Sequence, residues 1–227
     1  MRTYEDLLII NSYKKYLSIY KIIDLYIFTW NNKGFSYHHG TPNRCNTENN
    51  IITENILMEH YSQFKFFNIK KIIIDDFNEW YNNLNIEMKN IFNTPFRNHS
   101  NVTTSLPIEY KYQQITYYLD NDYENVMVLR PDMSIVCHLS ILNPVYNTIY
   151  FKSICERCMD HVWFGNKKTI VKQLNNIFDN YLINYNKITS NNENNRDNNE
   201  LLFYQCQINN IKIIVTDGMM VQQILYS

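Results

Sequence analysis

Apolar positions recur along this chain with two periods, and the switches between them mark its elements. Leu7, Ile10, Tyr13, Leu17 and Tyr20 fall three or four residues apart, the spacing of one helical face. Thr3 with Asp6 resembles a capping box ahead of them. Ile22 to Trp30 is a dense apolar run rich in β-branched and aromatic residues, which fits a buried strand or a continuation of the helix. Asn31-Asn32-Lys33-Gly34 signals a turn, and a polar loop with His38, His39 and Cys45 follows over 35–50. Helical spacing returns at 55–67 and at 77–92, with a short strand expected at 70–74. Asp75 and Asp76 are placed to cap the second of these helices. Its inner stripe is Phe77, Trp80, Tyr81, Leu84, Met88 and Ile91.

Residues 94–107 are polar and bounded by prolines, and a subdomain boundary is expected there. Beyond it, 108–119 and 126–137 read as strands. Arg130-Pro131-Asp132-Met133 fits a type I turn that would fold 126–137 into a hairpin. A further strand is expected over 149–154. Asn166 is placed to cap a helix whose stripe runs Ile170, Val171, Leu174, Ile177, Phe178, Tyr181, Leu182 and Tyr185. Residues 186–200 are so rich in Asn that a disordered loop is expected. The apolar runs 201–208 and 211–216 flank Asn209-Asn210 as a hairpin would. The sum is an α+β protein: a mainly helical subdomain over 1–93, a linker over 94–107, and an α+β subdomain over 108–227.

Composition narrows this reading. Hydrophobic residues make up 45% of 227, enough for a sizeable core, and the formal net charge is only -1. No global field draws the chain to a nucleic-acid backbone, so any such contact must be local. Tyr is abundant at 19, while Gly numbers 4, and neither a Walker loop nor a dinucleotide fingerprint is present. Asn, Ile, Tyr and Lys share AT-rich codons, so an AT-rich genome would give the same bias without any chemical reason. The N-terminus lacks a signal peptide's shape, because Glu5 and Asp6 interrupt it. No apolar window reaches the ~18 residues a membrane helix needs. An odd cysteine count of 5 then points to reduced thiols or a metal site in cytoplasm or nucleus.

Chemical density is highest between Val126 and Gly165. Cys155 and Cys158 form the sole Cys-x-x-Cys of the chain, and Cys137 stands upstream. With Cys at 140 the spacing would be that of two paired knuckles around one tetrahedral Zn²⁺, but Ser140 stands there. His138 and His161 are the nearest substitutes for the missing corner, and Cys206, Cys45, His38 or His39 could supply it from afar. The plainer alternative is three buried cysteines acting as small hydrophobes. Lys152, Arg157, Lys167, Lys168 and Lys172 cluster around the same stretch, interleaved with Tyr150, Phe151, Trp163 and Phe164. That mixture suits phosphate contact with base stacking. It suits equally a solvated helix face over an aromatic core.

The 137–158 segment resembles a treble-clef or ribbon zinc finger, and through it the nuclease families built on that element. Those nucleases use a general-base His on the finger's hairpin and a metal-binding His on its helix. Here His138 is the one His near the hairpin and 167–185 has none, so the resemblance implies a structural rather than a catalytic metal. In length, composition and cysteine placement the chain is also similar to accessory nonstructural proteins of insect DNA viruses of the densovirus type. This likeness implies a non-enzymatic viral protein, supporting DNA replication in the host cytoplasm or nucleus by binding nucleic acid or a protein partner. A metal-dependent nuclease or hydrolase of treble-clef type is the alternative.

Overall fold

The computed structural model describes residues 7–31, 51–93, 106–119, 122–130, 133–135, 137–139, 142–151, 162–191, 198–216 and 221–223. These residues form a mixed α+β fold. In chain order they run α1 (Leu7–Tyr16), β1 (Ile23–Trp30), α2 (Glu54–Ser62), β2 (Phe67–Asp75), α3 (Phe77–Asn83), α4 (Ile86–Asn93) and α5 (Leu106–Tyr118). There follow β3 (Asn125–Leu129), β4 (Met133–Ile135), β5 (Thr148–Phe151), β6 (Val162–Asn166), α6 (Lys167–Leu174), α7 (Tyr181–Asn191), α8 (Asn198–Ile208), β7 (Lys212–Val215) and β8 (Val221–Gln223). Two compact units result. One holds the described residues of Leu17–Thr104, and the other joins α1 to those of Ser105–Ser227. α1 thus belongs with the second unit, whereas the sequence grouped it with the residues before 94.

The first unit is a β-α-β element. β1 and β2 pair in parallel from Ile23 opposite Phe67 to Trp30 opposite Asp75, with a register shift after Leu25. The run at 22–30 is therefore a strand. Thr53 opens α2 by accepting from the Ile56 N–H at 3.4 Å. At the carboxyl ends of the strands, the Asp76 carboxylate accepts from the Glu79 N–H at 2.8 Å and the Asn31 side-chain amide at 2.6 Å. The Glu79 N–H is the main reason that this carboxyl lies below its ordinary range. The helix expected over 77–92 is two helices. Leu84 leaves the helix, and Asn85 restarts it by accepting from the Met88 N–H at 2.8 Å. The apolar stripe survives the break, because Trp80, Leu84, Met88 and Ile91 are all buried.

The second unit is built on a sheet of order β3-β6-β5-β7, antiparallel except for the parallel pair β5 and β7. Ile149, Phe151, Trp163, Ile170, Leu174, Ile177, Leu202, Cys206 and Ile211 close one core with Tyr112. Gly165 lets β6 lie close on β5: a Cβ there would meet the Thr148 carbonyl oxygen at 3.1 Å. α1 packs on β4, where the Ser12 hydroxyl accepts from the Ile135 N–H at 3.0 Å.

Several expectations fail in this unit. Residues 108–119 are helix α5, not a strand. Their period is blurred because Leu106, Glu109, Lys111, Tyr112 and Gln113 are buried around several sides of the helix. Residues 126–137 are not a hairpin: β3 pairs with β6, and β4 with β8. The long helix after Asn166 breaks after Leu174, where Asn176 takes a positive φ of 57°. α7 and α8 reach into 186–200 from both sides, so the disordered loop is wrong wherever that stretch is described. Residues 201–208 belong to helix α8, and Asn209-Asn210 ends that helix rather than turning a hairpin.

Candidate functional site

Two groups of residues carry the chemistry read from the sequence. The first is the cysteine and histidine set. Cys137 and His138 lie just beyond β4, both half-buried. Burial pushes the Cys137 thiol up. The His138 ring meets the Tyr16 ring of α1 edge-on at 5.2 Å between centroids. Its Nδ1 is buried without a hydrogen-bond partner, a position that costs about 1–3 kcal/mol unless something satisfies it. Cys155, Cys158 and His161, like Ser140, His38, His39 and Cys45, lie outside the described residues. The strands that flank Cys155 and Cys158 are described, and they run side by side with Phe151 opposite Trp163. Among the described residues no three potential metal ligands come together.

Cys206 lies fully buried in the apolar core, where desolvation pushes its thiol up to about 12, and among the described residues no group of potential ligands gathers around it. Within the described set the orphaned His138 Nδ1 therefore fits a metal best. The raised Cys137 thiol would have to give up a proton to join it.

The second group is basic. Lys152 and Arg157 lie outside the described residues. Lys167 and Lys168 open α6, whose first turn is capped by the Asn166 side chain accepting from the Lys168 N–H at 3.0 Å. Thr169, Ile170, Gln173 and Leu174 face inward. This leaves Lys168 exposed and Lys172, one turn later, half-exposed on the same side. α6 itself contains no acidic residue. At its start, the Lys167 N–H donates to the Glu124 carbonyl oxygen at 2.9 Å, which brings an acidic residue to that end. The positive character of the face is therefore concentrated toward Lys168 and Lys172.

Of the four aromatics expected on the surface, Tyr150 alone is not buried. Phe151 and Trp163 are 1% and 0% exposed, Phe164 is buried too, and the Tyr150 hydroxyl donates to the Asn143 carbonyl oxygen at 3.0 Å. Alternation along β5 and β6 does not spare Phe151, Trp163 and Phe164, because the sheet is buried where they stand. In their place the structure brings up three residues that sequence reasoning passed over. Asn147 holds a positive φ of 59°. Its N–H donates to the Thr169 hydroxyl at 2.8 Å, and its carbonyl accepts from the Lys212 N–H at 2.8 Å. Its side-chain oxygen accepts from the Lys172 ammonium at 3.3 Å. Tyr146 stands beside it, 58% exposed, with the Lys172 ammonium 6.0 Å from its ring centroid. Lys212 is exposed on β7. The meeting of Asn147 with Lys212 depends on the parallel pairing of β5 with β7, which no local pattern encodes.

No family model matches the chain, and no curated protein and no solved structure matches it. The arrangement itself offers a cationic helix face next to a hydrogen-bonded turn, and a half-buried Cys-His pair just beyond β4.

Proposed function

We propose that this protein is a non-enzymatic factor that binds nucleic acid through its phosphate backbone. Lys167, Lys168 and Lys172 on α6 are the main contacts, joined by Lys152 and Arg157. The single observation that carries the reading is the α6 face, which turns Lys168 and Lys172 to solvent together and holds no carboxylate of its own. Cys137, Cys155 and Cys158, with His161 or His138 as fourth ligand, hold a structural Zn²⁺ that fixes the connection between β5 and β6. The buried, unpartnered Nδ1 of His138 supports this part. Such an activity would serve replication of a viral genome, in keeping with the likeness to densovirus-type accessory proteins.

Replacing Lys168 and Lys172 together by Gln tests the phosphate reading. Affinity for a labelled oligonucleotide, followed by fluorescence anisotropy at low salt, falls about tenfold or more in the variant. Unchanged affinity contradicts the reading. Metal content tests the zinc part: purified protein carries about one zinc per chain, and Cys155→Ser loses it together with thermal stability. Mg²⁺-dependent nicking of plasmid that disappears in His138→Ala would replace a binding protein by a nuclease.

A further inference from the structure

We infer that the Tyr146–Asn147 turn is a base-stacking post for single-stranded nucleic acid, with Lys172 and Lys212 as its phosphate partners. The inference rests on the phosphate reading above and adds to it the form of nucleic acid preferred. Exposed tyrosines are common, but rigidly presented ones are not. Asn147 is tied to α6 through Thr169, to β7 through Lys212 and to the Lys172 side chain, all by hydrogen bonds. The Thr148 N–H closes the turn onto the Val145 carbonyl at 3.1 Å. Tyr146 therefore projects from a fixed backbone and gives up little entropy on binding. Val145 beside it is 51% exposed, so the tip is apolar as well as aromatic.

Lys172 holds its ammonium near one side of the ring, and the ring keeps more than half its surface open. Neither α6 nor β7 nor residues 145–148 include an acidic residue. A flat π surface among cations of separate elements matches an unpaired base with its phosphates. A duplex hides its base faces in the stack and has nothing to lay on Tyr146.

The test compares full-length wild-type protein with Tyr146→Ala, Tyr146→Phe and Lys168→Gln. Each is titrated with a labelled single-stranded oligothymidylate, the matching duplex, and heparin as a polyanion without bases. Tyr146→Ala weakens single-strand binding about tenfold and leaves duplex and heparin binding unchanged. Tyr146→Phe keeps wild-type affinity, which also shows that the turn still folds. Lys168→Gln weakens all three ligands. If Tyr146→Ala matches wild type on the single strand while Lys168→Gln still weakens it, the stacking post falls and the phosphate face stands. If Tyr146→Ala weakens all three ligands equally, the post is likewise overturned. If wild type binds none of them at low salt, both readings fall.

Discussion

At the scale of single residues, the environment decides what a side chain can do more than its type does. Cys206 shows this most clearly. Packed among the core side chains, its thiol rises from an ordinary 9.0 to about 12. Folding favours the protonated form, so the stability this thiol contributes is complete below pH 9 and is lost as pH rises toward 12. The difference corresponds to roughly 4 kcal/mol. Urea unfolding followed from pH 8 to 11 should show wild type losing stability more steeply than Cys206→Ala, even though the variant starts lower because of its cavity. Equal slopes would contradict the assignment, as would rapid labelling of Cys206 by a thiol reagent in the folded protein. Cys137 is the same residue type in a different setting, half-buried beside His138, whose ring meets Tyr16 of α1.

At the scale of elements, Asn210 explains a misreading and offers a test of it. Asn209-Asn210 between two apolar runs looks like a hairpin turn. In the structure the Ile211 N–H donates to the Cys206 carbonyl and the Asn210 N–H to the Gln207 carbonyl, while Asn210 has a φ of 51°. These are the two bonds of a Schellman motif, which ends a helix with a left-handed residue. Asn tolerates that conformation in either setting, so the dipeptide alone does not distinguish them. Asn210→Val should cost about 1–2 kcal/mol, while Asn210→Gly should leave stability nearly unchanged. Equal losses from both would mean that the left-handed turn is not what matters there. The elements that were legible have local signatures, such as Asp76 and Asn166 as caps. α5 was not, because a helix buried on several sides loses its period. Nor was the pairing of β3 with β6, since non-local partners leave no mark in either strand. Lys167, Lys168 and Lys172 could be picked out from the sequence as a cluster, and Lys212 could not. Which aromatics accompany them could not, for burial removed Trp163 and the fold supplied Tyr146.

At the scale of the whole molecule, a nearly neutral chain restricts how it meets a polyanion. With a formal net charge of -1, no long-range attraction assists binding. Any affinity must come from a few lysines acting at contact, and the second unit places Lys168, Lys172 and Lys212 around α6 and the Asn147 turn. A site with so few cations has a modest and countable salt response. The most direct measurement is the slope of log affinity against log salt concentration for the full-length protein and a single-stranded oligonucleotide. Each phosphate neutralised on a single strand adds about −0.7, so Lys168, Lys172 and Lys212 alone give a slope of about −2, the further cations of the site steepen it to at most about −4, and Lys172→Gln makes it shallower by about 0.7. A slope near zero, or one that Lys172→Gln leaves unaltered, would contradict the account.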